Sequence, residues 1–369
     1  MLQHSPAIAT GQARSSNELR ELQTSLIRWF MVGGLGIGLF FLIKILTDQQ
    51  PSTNAGWFVF YLSFAVNFPH FLASYQLLYG DFRSSWAKNY RYLAASVIVP
   101  ITLAAIIGYA LYQSSAVLLE LLVQSMFFFV GWHYVKQSFG IFIACSSYDG
   151  IRFNSLERQS VKFFLFSLWG LSWIGSNRYN NTNQFEGVAY QALQIPETFL
   201  HVNYGVTFIL ASICLYLAYK KYIREGQICS LSSATAVIIM AIWYVPGLYN
   251  PTYFMLIPFF HSLQYLYFVF LFKTQEGRSM YPEANSEHRA GFLMHTVGFY
   301  VLATLLGALS MYWIPYLLDQ NPALKTGLPN MQSYMFAALI FINIHHYFID
   351  HAIWRHDNET MKKFVFGKA

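Results

Sequence analysis

The chain has 369 residues, of which 55% are hydrophobic, 19% aromatic and only 11% charged. A soluble domain carries about 25% charged residues, so this composition excludes an ordinary soluble enzyme and points to a polytopic membrane protein. The formal net charge of +6 would suit nucleic acid, but its distribution along the chain excludes that partner, as shown below.

In chain order, the first stretch, "MLQHSPAIATGQARSSNELRELQ", is polar and mixed in charge, without the apolar core of a secretory signal. Residues 1–25 are therefore read as a cytoplasmic tail. Crossing about 30 Å of hydrocarbon takes about 20 apolar residues. Ten segments qualify: 26–47, 56–79, 92–112, 116–147, 161–177, 202–221, 234–250, 252–273, 291–316 and 333–354. The predicted fold is all-α, one transmembrane helical domain over 26–354 with a short basic tail at 355–369. The fourth segment is too long for one straight crossing and is expected to tilt, project or break near Gly131 or Gly140. The seventh and eighth are joined by the tight "YNPTY". The outer loop at 178–200 is expected to hold a short interfacial helix. Its "NNT" matches a glycosylation sequon, but nothing else indicates a eukaryotic secretory context, and a bacterial inner membrane is the expected location. "NFPHFLASYQLLY" (67–79) and "LIPFFHSLQYLYF" (256–268) echo one another, too briefly to define a repeat.

Lys and Arg test this layout. With the N-terminus in the cytoplasm, every basic residue except Lys44, Lys136, Arg178 and Lys325 falls in a cytoplasmic segment or helix end. That alternation is what the positive-inside rule requires, and it places both termini in the cytoplasm. The positive charge then serves topology and anionic lipid headgroups. The lipid bilayer is the expected partner, not nucleic acid. Cys145, Cys214 and Cys229 share no CxxC spacing and read as reduced structural thiols. Glu120 is expected to be solvated or bonded to Gln124.

The histidines carry the chemistry. His70, His133, His261, His345 and His346 lie in the second, fourth, eighth and tenth segments, all running outside to inside. At 1.5 Å per residue they fall in one slab, with His351 shallower. Each has polar company at helical spacing. Ser63, Asn67, His70 and Ser74 form one stripe; His133 has Gln137, and Lys136 one turn on; His261 has Gln264; and Asn343, His346 and Asp350 share a face. His345 points about 100° away from His346. Ionisable residues inside a membrane face the bundle interior and are functional candidates. Several imidazoles with one carboxylate suit metal ligation. The expected metal residues are His70, His133, His261, His345, His346, Asp350 and His351. Asn67, Gln137, Gln264 and Asn343 are expected to hold the outer ring nitrogens. The bland alternatives are helix-packing hydrogen bonds for a single His, headgroup contact for His351, and snorkelling for Lys136 unless it meets Asp350 or an acidic substrate head. His4, His201, His288, His295 and His356 lie near tails, loops or helix ends and read as surface residues. The 34 Phe and 26 Tyr read as packing and interface belts.

The HH pair in "FINIHHYFIDHAIWR" (341–355), with single histidines on three other segments, resembles the histidine-rich integral-membrane di-iron oxygenases and desaturases. It also resembles the membrane carotene-cleaving dioxygenases, which place single histidines on several helices. The resemblance covers only the histidine-bearing segments, and the HxxxH and HxxHH boxes of the desaturases are missing. It implies iron at one or two sites, use of O₂, and a lipid-soluble substrate such as an acyl chain or isoprenoid. No segment reads as a reductase domain, so an external electron donor, or electrons from the substrate, is implied. Two other functions fit the same residues. Paired histidines can ligate haem in an electron-transfer protein, although no HPEVY-like segment is present. A histidine relay can serve a proton-coupled transporter.

Overall fold

The structure is a computed structural model that describes residues 22–46, 61–80, 89–177, 183–185, 188–249, 252–282, 286–328, 331–355 and 358–366. The N-terminal tail before residue 22, the start of the second predicted segment, the sequon at 180–182, Asn250 and Pro251 of the "YNPTY" junction, and His4 and His356 lie outside the described residues.

Each predicted segment contains a helix. In order they are α1 (22–46), α2 (61–80), α3 (Tyr90–Tyr112), α4 (Ala116–Tyr148), α5 (Ser155–Ser176), α6 (Glu197–Glu225), α7 (Leu231–Gly247), α8 (Thr252–Met280), α9 (286–320) and α10 (Ser333–Ile353). A short α11 (359–366) follows. Among the described residues six helices are long and apolar enough to cross a membrane: α3, α4, α6, α8, α9 and α10. The protein is all-helical in its bulk and reads as a multi-pass membrane protein.

Sequence signals set the helix ends. Asn89, Ser115, Asn154 and Ser230 each accept a first-turn backbone N–H, and Asn154 completes a capping box with Glu157. Such caps contribute about 1 kcal/mol each. α6 stops at Gly226, whose φ of 73° is left-handed and suits glycine. Of the three alternatives for α4 the break is ruled out: the helix runs unbroken for 33 residues, about 50 Å at 1.5 Å per residue. Gly131 instead permits close packing, because a Cβ there would lie 2.5 Å from the Trp169 ring. The loop between α5 and α6 holds a small antiparallel hairpin, β1 (Asn183–Phe185) with β2 (Val188–Tyr190), and no helix precedes α6 among its described residues. Glu120 Oε1 accepts the Gln191 backbone N–H at 2.9 Å, and Gln124 donates to the Gln191 carbonyl at 2.8 Å. Glu120 and Gln124 therefore clamp the hairpin strand, not one another.

Successive helices alternate in direction. Arg28 at the start of α1 pairs with Asp149 after α4 at 2.5 Å. Ser146 in α4 bonds Ser233 in α7 at 2.7 Å. Arg224 in α6 pairs with Glu157 in α5 at 3.1 Å. Glu276 in α8 binds His295 in α9 at 2.9 Å, and Asn358 beyond α10 donates to Tyr92 in α3 at 2.8 Å. The helix ends that carry the basic residues thus meet on one face. At the other face Asp319 of α9 accepts the backbone N–H groups of Tyr334 and Met335 at the start of α10.

Proline shapes the interior. In α2, α3 and α9 a π turn (Ser63–Asn67, Ala94–Ile98, Leu309–Trp313) is followed two residues on by Pro69, Pro100 or Pro315. Proline lacks the N–H that an upstream carbonyl needs. In a membrane that carbonyl must find another donor. Tyr300 Oη donates to Ala65 O, four residues before Pro69. Tyr79 Oη donates to Ser96 O, four before Pro100, at 3.0 Å. Tyr hydroxyls from neighbouring helices therefore repair the gaps at Pro69 and Pro100 and fix helix rotation there.

Candidate metal centre

α2, α4, α8 and α10 meet at the centre and bury their polar stripes against one another, including His70, Ser74, His133, His261, Ser262, His346 and Asp350. His70 (α2), His133 (α4), His261 (α8) and His346 (α10) each offer one ring nitrogen, and all four nitrogens lie within 4.8 Å of one another. His133 Nε2 and His261 Nε2 are 3.0 Å apart. Two ligands at a right angle on a metal about 2.1 Å away would show that separation. The rings touch edge to face, with His70–His346, His133–His261 and His133–His346 centroids at 4.4, 4.7 and 5.0 Å.

The hydrogen bonds fix one tautomer. Ser74 Oγ spends its single proton on the Phe71 carbonyl at 2.7 Å. It must therefore accept from His346 Nδ1, 2.8 Å away. Neutral His346 is then protonated on Nδ1 and has a bare Nε2. That Nε2 is buried without a hydrogen-bond partner, as is His70 Nε2. A buried polar atom without a partner costs about 1–3 kcal/mol. Asp350 Oδ2 lies 3.3 Å from His346 Nε2 and 3.6 Å from His133 Nε2. Asp350 Oδ1 accepts from Tyr265 Oη at 3.0 Å. A carboxylate oxygen facing a bare imidazole nitrogen is two acceptors in opposition, and a cation between them removes the conflict. The His70 ring is steadied at Nδ1 by Ser262 Oγ at 2.6 Å. Together these features fit a metal ion: four buried neutral donors, two of them unpartnered, with a carboxylate beside them.

The other predicted residues are elsewhere. His345 does not enter the cluster. Its Nε2 donates to Ala95 O at 2.6 Å, and its Nδ1 accepts from Tyr75 Oη at 2.7 Å. Ala95 O lies in the π turn five residues before Pro100, so His345 repairs the same proline gap as Tyr79. Both its nitrogens are spent. His351 stands half-buried against Trp132 (5.8 Å between centroids), away from the four. None of the four predicted amides holds a ligand ring. Gln137 donates to the His261 carbonyl at 3.0 Å and to Gln264 at 3.4 Å. Gln264 donates to Val32 O at the kink of α1. Asn343 donates to Leu339 O at 2.7 Å, and Asn67 to Ser63 Oγ at 3.4 Å. The rings are held by hydroxyls, Ser74 and Ser262. Ser74 was visible in the α2 stripe, whereas nothing in the sequence points Ser262 at another helix's histidine. Lys136 makes no ion pair with Asp350; its Nζ sits over the Trp132 ring at 5.4 Å.

Two cavities flank the cluster. One of about 490 Å³, largely apolar, reaches His70, His261 and His346 and extends toward Tyr190 of the hairpin. The other, about 150 Å³, reaches His133 and Asp350 from the basic end and is lined there by Lys136, His351 and Arg355. Tyr347 lines both. The three cysteines are free. Comparison of the chain with protein-family models, curated proteins and solved structures finds no match.

Proposed function

We propose that this protein is an integral-membrane, metal-dependent oxidoreductase that uses O₂ on a lipid-soluble substrate such as an acyl chain or isoprenoid. The observation that carries the reading is the bare Nε2 of His346 opposite Asp350 Oδ2, at the meeting point of four buried histidines. His70, His133, His261 and His346 would hold the ion, with Asp350 at its edge. Four nitrogens within 4.8 Å of one another would suit one ion. The second iron suggested by the HH pair would lack ligands, because His345 is committed to Ala95 and Tyr75. Imidazole donors suit iron, copper, zinc and nickel; iron is the choice that supplies redox and O₂-activating chemistry when bound.

The chain's own groups do the rest. Ser74 and Ser262 steady two rings, and Tyr265 fixes the Asp350 carboxylate, so the donors are preorganised. The 490 Å³ cavity has the size of a small-molecule site and lies among apolar side chains that exclude water. An external donor, or the substrate, supplies electrons. The arrangement of basic helix ends on one face supports ten crossings with both termini in the cytoplasm. A haem is not favoured, since rings in mutual contact leave no slot for a macrocycle.

The test is turnover. Purified protein is stripped of metal, reloaded with Fe²⁺ and given a lipid extract, with O₂ uptake and product mass both read. Iron-dependent O₂ uptake with an oxidised lipid product is expected. Equal product from the stripped protein would overturn the reading. A second reading, a proton-coupled transporter, draws on the cavities at both sides of the cluster. Proton-coupled uptake into vesicles that survives chelation would favour it.

A further inference from the structure

The small cavity at the basic end has a charge pattern that metal binding does not use. Lys136 lies one helical turn beyond His133, about 4.5 Å along the axis. Its Nζ rests over Trp132, and among the described residues no carboxylate lies within ion-pair distance of it. Among the described residues, the charged groups acting on Lys136 are Lys162 and Arg355, and those acting on His351 are Lys136, Arg355 and Arg91. All are cations. Among the described residues that line the cavity the one acid is Asp350, which sits at its histidine end and is held by Tyr265. Most of the remaining wall is apolar, including Ile141, Ala144 and Phe268, with Gln137 among them. Cations gathered at the rim of an apolar pocket, with a Trp face behind one of them, make a receptor for an anion on a hydrocarbon chain.

We propose that this cavity binds the terminal oxyanion of a single-chain amphiphile, a fatty-acid-like carboxylate, through Lys136 with Arg355 and His351. This rests on the proposed function for what the site does next, and it narrows the substrate class. The head is anchored about one turn from His133, and the chain passes Tyr347 toward the larger cavity. A carbon within a few bonds of the head is thereby presented to the histidines. About 150 Å³ accommodates a carboxylate and a few methylenes, but not the glycerol and second chain of a bilayer phospholipid.

The experiment uses the full chain in nanodiscs of phosphatidylcholine and measures binding of hexadecanoate, hexadecanol and hexadecyl phosphate by competition against a brominated fatty acid that quenches tryptophan. Hexadecanoate is expected to bind at least 10-fold tighter than hexadecanol. Lys136→Gln should abolish that preference and Lys136→Arg restore it, with metal content and melting temperature unchanged in both variants. Equal binding of acid and alcohol, or an unaltered preference in Lys136→Gln, would overturn the proposal. So would displacement of hexadecanoate by inorganic phosphate at similar concentration, which would mark a free-anion site. Equal competition by phosphatidylglycerol would mark a bilayer headgroup contact and also overturn it. Hexadecyl phosphate binding at least 10-fold tighter than hexadecanoate would contradict the carboxylate assignment. Protein that purifies without metal and binds none on reloading, yet shows the acid preference, would refute the metal centre while leaving this site standing.

Discussion

α6 and α10 are both long and apolar, yet they occupy opposite environments. In the most apolar 18-residue window of α10, 61% of residues are buried inside the protein; in α6, the more apolar of the two, 6% are. Phe208 and Leu215 of α6 are 74% and 72% exposed, whereas His346 of α10 is fully buried. In water the more apolar helix would be the inner one. In a bilayer apolar surface gains nothing by leaving lipid, so the helices with polar atoms to satisfy go inside. The contrast between α6 and the quartet α2, α4, α8 and α10 therefore separates residues selected by solvent from residues selected by partners.

That contrast sets an order of expected effects. The largest is at the four histidines. His133→Ala or His261→Ala should lose more than 90% of bound metal, measured by elemental analysis of purified protein. Next is Ser74→Ala. It frees the His346 tautomer without touching the ligand nitrogen, and it should weaken metal affinity about 10–100-fold in a chelator competition. His345→Ala is smaller and different in kind. It should keep full metal occupancy yet lower stability by about 1–3 kcal/mol, because Ala95 O loses its donor in a membrane interior; a denaturant titration in detergent reads this. The smallest is Phe208→Ala on α6, expected within about 0.5 kcal/mol of the parent and without effect on metal. A large loss from Phe208→Ala would break the contrast by showing that the exposed face of α6, and not only the face on α5, packs against protein.

Much of the fold was legible because membrane-length apolar runs and basic ends are one-dimensional signals. Shared depth and direction were enough to point at His70, His133, His261 and His346 before any contact was known. The failures lie where rotation or a third helix decides. His345 differs from His346 by one residue, yet it faces α3, where a π turn and Pro100 leave a carbonyl to be filled. The Gln and Asn residues at helical spacing from histidines were expected to hold the rings. The amides of Gln137, Gln264 and Asn343 instead satisfy backbone carbonyls and that of Asn67 the Ser63 hydroxyl, and Ser74 and Ser262 hold rings contributed by other helices. The outer hairpin replaced an expected helix because strand pairing between 183–185 and 188–190 depends on a register that apolar content does not reveal.

The central claim is one metal ion held by four histidines on four helices. X-ray absorption at the metal edge, with metal stoichiometry on the same sample, tests it most directly. The account predicts one ion per chain with four imidazole nitrogens in its coordination shell. No metal, two ions per chain, or a shell without imidazole would contradict it.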